Sequence, residues 1–188
     1  MGIDMEIYSN SEKKTFDVMK AINIVLLVFV VILAFILISM SFLWTPMTVS
    51  GPSMNNTLYD GEHFILQTAW YKVKYGNIVV FEKLEDDKNV IKRVIGLPGD
   101  YIKFNQEKGV WLRNGEELLE DYVSSGYSLS YFSQTPSALK SALCSDTGYL
   151  IAEDKVFVLG DNRANSNDSH VYGAISMSQI KGKYLFSY

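Results

Sequence analysis

From Ala21 to Leu43 the chain reads AINIVLLVFVVILAFILISMSFL, with no charged side chain in it. Asn23, Ser39 and Ser41 are its polar residues, and they form no stripe at helical period, as a helix lying on a core would require. Rising 1.5 Å per residue, such a helix is roughly 34 Å long, enough to cross a hydrocarbon layer about 30 Å thick. It is too long for the apolar part of a cleaved signal peptide, and no small-x-small site ends it. The run therefore predicts a transmembrane helix over 21–43. Lys13, Lys14 and Lys20 precede it, and the next basic residue after it is Lys72. Basic flanks stay on the cytoplasmic side, so residues 1–20 are expected to form a cytoplasmic tail and residues 44–188 a domain outside the membrane. Trp44, at the exit, suits an interfacial anchor.

The rest of the chain is long enough for one globular domain with a small lobe. A net charge of −4 over 188 residues argues against a nucleic-acid partner. The single cysteine, Cys144, excludes an intramolecular disulfide and a cysteine-rich metal site, and reads as a small buried apolar residue. The two histidines, His63 and His170, lie far apart, so no zinc centre and no other cofactor is expected.

Beyond residue 45 the patterning is that of short strands. HFILQTAWYKV, GNIVVFEKL, NVIKRVIGL, YIKFN, GVWLRNGEELL and KVFVLGD are apolar, aromatic and β-branched, and are punctuated by Gly-Asn, Pro-Gly-Asp and Asn-Gly turn signals. The expected fold class is mostly β: one N-terminal helix, then an antiparallel sheet domain rather than alternating βαβ units. Residues 124–150 interrupt the pattern and are expected to form an inserted lobe or loop, with one short helix starting near Pro136.

Three polar stretches could carry chemistry. In TVSGPSMNNTL, Gly51 and Pro52 bend the backbone before Ser53, a setting that exposes a hydroxyl next to backbone N–H groups able to bind an oxyanion. A serine nucleophile needs a base. Neither histidine lies in a triad-like setting, and the other solution is a lysine kept neutral by burial, which needs its pKa lowered by about three units at roughly 4 kcal/mol of desolvation. Lys92 lies between Val90, Ile91, Val94 and Ile95, a suitable apolar strand; an outward-pointing lysine fits the same pattern. By the two-residue period of a strand, Lys92 and Arg93 point to opposite faces, one in and one out. The third stretch, LGDNRANSNDSHVYG, suits either a solvated loop or a polar network around a site.

SGPSMNNTL, YGNIVVFE, IKRVIGLPGD and GDNRANSNDS, in that order behind a membrane anchor, resemble the type I signal peptidases, in their single-anchor Gram-positive-like form. The resemblance covers the anchor through about Gly173, least well in the 124–150 lobe. It implies a membrane-bound serine endopeptidase with a Ser-Lys dyad. Ser53 matches the nucleophile and Lys92 the general base. Ser166 matches the serine that orients the lysine, with Asp168, Asp161 and Arg163 in the supporting network. The oxyanion is expected at the Ser53 N–H, with Gly51 standing where some relatives carry a helping serine. Substrate is expected as an added strand between walls at 47–52 and 89–92, touching Val49, Ser50, Pro52, Val90 and Ile91, with small residues, Ala-x-Ala, before the cut. The implied partners are secreted preproteins, the lipid bilayer and the secretion translocon.

Two positions depart from the family. Asn56 stands where proline is usual, which changes turn stiffness more than chemistry. His170 stands where arginine usually pairs with the neighbouring aspartate in a two-pronged contact, which histidine can replace only weakly and when protonated. A non-catalytic assembly relative and a repressor-type Ser-Lys protease are the competing readings. The presence of both Ser53 and Lys92 argues against the first, and the membrane helix against the second.

Overall fold

The structure is a computed structural model that describes residues 3–83, 87–123 and 131–188, with residues 3–15 and 41–42 described by their backbone alone. It divides into two units, Met1–Leu43 and Trp44–Tyr188.

The first unit is one helix, α1 (Ile3–Leu43). Its stretch Phe16–Met40 is long and apolar enough to cross a membrane, with a mean hydropathy of 3.3 and none of it buried by protein. The hydroxyl of Ser39 donates to the carbonyl of Phe35 at 2.7 Å, so this polar interruption is satisfied within the helix.

The second unit is built from β1 (Trp44–Thr48), β2 (His63–Gln67), β3 (Ile78–Lys83), β4 (Lys88–Gly96), β5 (Tyr101–Asn105), β6 (Val110–Arg113), β7 (Glu116–Glu117), α2 (Ser137–Leu143), β8 (Tyr149–Leu150), β9 (Lys155–Leu159), α3 (Ser169–Tyr172), β10 (Ile175–Ser176) and β11 (Ile180–Ser187). Seven strands form one sheet in the order β1-β2-β11-β3-β4-β9-β10, and four form another in the order β7-β6-β5-β8. The paired strands run antiparallel. The mostly β architecture expected behind an N-terminal helix is the one found.

The uninterrupted IVVF of β3 follows from burial on both faces. Ile78 and Val80 join a core with Met54, Leu58, Phe64 and Ile91, while Val79 and Phe81 join another with Val94, Val156 and Val158. A third core gathers Ile95, Ile102, Trp111, Phe157 and Leu159 with Tyr131 and Leu143.

Several local expectations change. HFILQTAWYKV is a strand only over its first five residues; Trp70 takes a φ of +54° and is 87% exposed, so its aromatic content marks a turn rather than more strand. Within the 124–150 lobe, residues 124–130 lie outside the described residues. The remainder holds α2, which starts after Pro136 as expected and sends Leu143 into the third core. Cys144 is half-buried rather than buried, because it ends α2 at the surface, where Gln106 Nε2 reaches its sulfur at 3.1 Å. β11, a segment without a distinctive turn signal or motif, inserts between β2 and β3.

Candidate active site

Ser53 sits in the loop between β1 and β2. The loop is closed at its base by Val49 and the 61–62 backbone, with Val49 N donating to Glu62 O at 2.9 Å and Gly61 N to Val49 O at 3.0 Å. Met54 and Leu58 hold it down, fully buried and one helical turn apart, with Leu58 N donating to Met54 O. Asn56, between them, has a φ of +82°. Proline is fixed near −65° and cannot take this conformation, whereas asparagine tolerates it. The departure at Asn56 is therefore a change of backbone path and not of stiffness alone.

Lys92 is 3% exposed on β4, and its Nζ lies 2.6 Å from Ser53 Oγ and 3.0 Å from the carbonyl of Ile91. Burial pushes the ammonium down to about 8, against the opposing pull of the Asp168 and Asp161 carboxylates. Arg93 does not point out to solvent. Its side chain is 13% exposed and forms a two-pronged pair with the fully buried Asp161, Nε to Oδ1 at 2.8 Å and Nη2 to Oδ2 at 2.6 Å. The strand period still separates the two neighbours, but this sheet is covered on both faces. The ring of Tyr122 lies 4.0 Å from the guanidinium, and Thr57 Oγ1 donates to Asp161 at 2.5 Å.

The third polar stretch leaves β9 and passes directly over the serine loop. Asn162 N donates to Ser53 O and Asn162 Nδ2 to Pro52 O, both at 3.0 Å, so one asparagine clamps the two carbonyls that flank the hydroxyl-bearing residue. Gly160 allows this approach: a Cβ there would collide with Ser166 Oγ and with Ser53 O. Asp168 is wholly buried. It accepts from Gly160 N at 2.9 Å, from Ser166 Oγ at 2.6 Å and from His170 Nδ1 at 2.6 Å. Burial pushes its carboxyl up, but these donors, the His170 bond foremost among them, together hold it below the usual range.

The sequence-predicted residues therefore converge, with differences of role. Lys92 meets Ser53, Ser166 bonds Asp168, and the carboxylates of Asp168 and Asp161 both act electrostatically on Lys92. The described hydrogen bond of the Ser166 hydroxyl goes to Asp168, while those of Lys92 Nζ go to Ser53 and Ile91. Arg163 turns away to form a two-pronged ion pair with Glu120 and donates from Nε to Gly160 O at 3.0 Å, so it braces the loop. Gly51, expected at the oxyanion, has its N–H committed to Asp60 Oδ1 at 2.7 Å. The N–H of Ser53 donates no hydrogen bond among the described residues and stays available for an anion. His170 pairs with Asp168 through one nitrogen, a bond that a neutral ring with its proton on Nδ1 also makes, so protonation is not required.

Of the expected substrate contacts, Ser50 and Pro52 are exposed and Val90 is half-buried. Val49 is buried, with its N–H and carbonyl both used inside the loop, and so is unavailable to a substrate backbone. Ile91 is buried and faces the core under the serine. β4 pairs with β3 over Lys88–Arg93 but with β9 only from Arg93 to Gly96, which leaves one edge of 88–92 without a strand among the described residues. Gly160, Asn162, Thr57 and the inward role of Arg93 were not singled out from sequence. The GDN triplet and the Thr-Leu after Asn56 carried the only signal.

Residues 21–188 match the family described as signal peptidase, peptidase S26. The chain belongs to this family. It is thus a serine protease of the signal peptidase I type, and the resemblance drawn from the four sequence segments is borne out. It is 35% identical over 155 residues to signal peptidase IB of Staphylococcus aureus, covering 78% of each chain. It is 34% identical over 183 residues to signal peptidase I of Bacillus licheniformis, covering 95% of this chain and 90% of that one. Among solved structures, a signal peptidase I from Enterococcus faecalis is 28% identical, with a TM-score of 0.45, over 61% of this chain and 98% of its own.

Proposed function

We propose that this protein is a membrane-anchored signal peptidase that removes N-terminal signal peptides from exported preproteins, with Ser53 as nucleophile and Lys92 as general base. The contact of 2.6 Å between Lys92 Nζ and Ser53 Oγ, made by a lysine whose burial favours the neutral amine, carries the reading.

Neutral Lys92 takes the Ser53 proton as Oγ attacks the scissile carbonyl, and the Ser53 N–H stabilises the resulting oxyanion. Collapse breaks the peptide C–N bond. The Lys92 ammonium returns its proton to the leaving amine, which becomes the new N-terminus of the mature protein. Lys92 then deprotonates a water that attacks the acyl-enzyme ester, releasing the signal peptide carboxylate and restoring the Ser53 hydroxyl.

The open edge of β4 at 88–92 suits a substrate strand, whose alternating side chains face the enzyme. Small residues one and three positions before the cut, as in Ala-x-Ala, are the expected recognition elements of such a strand. Phe16–Met40 suits the bilayer anchor, with the basic residues before it keeping the N-terminus inside and residues 44–188 outside. Preproteins emerging from the secretion translocon are the substrates such an anchor would meet.

The test is cleavage of an Ala-x-Ala preprotein by detergent-solubilised full-length protein, wild type against Ser53→Ala and Lys92→Ala. Both variants should fold and lose cleavage; retained activity in either refutes the dyad. Protease added to intact cells should digest residues 44–188, and protection would reverse the topology.

A further inference from the structure

His170 is held on several sides. His170 is 3% exposed, and its ring stacks on Tyr131 with centroids 4.1 Å apart and planes 16° from parallel. Phe132 stands edge-on to the same ring at 6.2 Å. Tyr131 is 8% exposed and belongs to the third core, where it meets Phe104 and Trp111. α3, which carries His170, is fixed to β9 by the bond from Val158 N to Ser169 Oγ. The imidazole therefore has its backbone, ring plane and Nδ1 contact all set by separate elements. A flat ring aligned this closely presents one in-plane nitrogen to Asp168 Oδ1 at 2.6 Å. The other carboxylate oxygen, Oδ2, holds Ser166 Oγ and Gly160 N.

Resting on the proposed dyad, we infer that Tyr131 and His170 are a positioning pair through which the inserted lobe sets the active site. Tyr131 fixes the plane of His170, His170 holds Asp168, and Asp168 holds the Ser166 hydroxyl and acts electrostatically on Lys92. The stacked ring restricts rotation of the imidazole, so a single ring nitrogen suffices to hold Asp168. Among the described residues, the ionisable groups around the imidazole are Asp168 and Tyr131, with Arg163 lining the same cleft of about 400 Å³. The carboxylates acting on Lys92 are Asp168 and Asp161. Removing the imidazole leaves the charge of Asp168 less shared and raises its hold on the lysine proton.

The experiment compares wild type, His170→Ala, His170→Arg, Tyr131→Ala and Tyr131→Phe as full-length protein in detergent. It measures kcat and KM on a preprotein across pH, and titrates Lys92 by NMR of ¹³Cε-labelled lysine, which needs no substrate. His170→Ala and Tyr131→Ala should lower kcat by up to about a hundredfold, the cost of a small misplacement, with KM essentially unchanged. In His170→Ala the Lys92 titration should move to higher pH. His170→Arg should restore kcat and Tyr131→Phe should retain it. Should His170→Ala not fold, His170→Leu, which keeps the volume without the donor, carries the same expectation. The inference is overturned by wild-type kcat in the alanine variants. It is equally overturned by activity that falls only with the folded fraction while the Lys92 titration stays put, or by a failure of His170→Arg to rescue. Wild-type protein that cuts no preprotein would instead refute the proposed function, and the lysine titration would still decide the positioning pair.

Discussion

Lys92 Nζ and Ser53 Oγ lie 2.6 Å apart although 39 residues separate them, and neither side chain reaches the other through a local turn. The contact is made across the sheet domain: Ser53 rides on the loop joining β1 to β2, and Lys92 projects from β4.

In the proposed mechanism this contact ties activity to the protonation of one amine. With Lys92 pushed down to about 8, only about a tenth of it is neutral at pH 7. The base is the unprotonated form, so kcat/KM should rise with pH through about 8 and then level off. A pH–rate profile on a preprotein checks this, and a flat profile between pH 6 and 9 would exclude Lys92 as the titrating base.

The same burial has a cost in stability. The folded-state pKa of Lys92 lies below its unfolded value of 10.5, so the unfolded chain binds more protons between about 8 and 10.5. The penalty is complete below pH 8 and fades as pH rises through that window. Lys92→Met, which fills the volume without a charge, should therefore unfold at higher denaturant at pH 7, by up to about 3 kcal/mol, while losing activity. The gap should close near pH 10.5, and a gap independent of pH would refute this account.

Gly160→Ala tests the crossing of the two loops. The added methyl meets Ser166 Oγ and Ser53 O, so the polar loop must lift from the serine loop and break the Asn162 clamp. Overpacking of this kind costs about 1–3 kcal/mol. Turnover should fall by more than the loss of folded protein explains, whereas wild-type kcat in the folded fraction would show that the loops tolerate separation.

At Asn56 the prediction concerns the residue that the sequence resemblance would replace by proline. Asn56→Pro forces a φ near −65° onto a residue at +82° and should destabilise the domain by about 3 kcal/mol or more, while Asn56→Gly should be tolerated. Thermal unfolding of the two variants decides it: a stable proline variant would mean that the loop can adopt another path without loss.

How much of this was legible in the sequence depended on whether the signal was local. The apolar helix, the turn-punctuated strands and the Asn-Gly hairpin after Arg113 are written in neighbouring residues, and the structure follows them. Lys92 in an apolar strand was ambiguous until the order of four motifs singled it out. The burial of Arg93 is not legible there, because the strand period separates two faces but does not say that both are covered. Nothing near Asn162 announced that it would bind carbonyls of a loop 110 positions away, and His63 and His170 look alike until burial and the Tyr131 ring distinguish them.

The place of β11 has a consequence for when the enzyme exists at all. In the large sheet, β1 and β2, which hold the Ser53 loop, connect to β3 and β4, which hold Lys92, through β11. Residues 180–187 must therefore emerge from the ribosome and find two partners more than ninety positions upstream before the halves of the dyad are locked in register. Such long-range pairing is slow. The delay is built into the topology: the two strand pairs that carry Ser53 and Lys92 become one sheet through a segment that pairs with both β2 and β3.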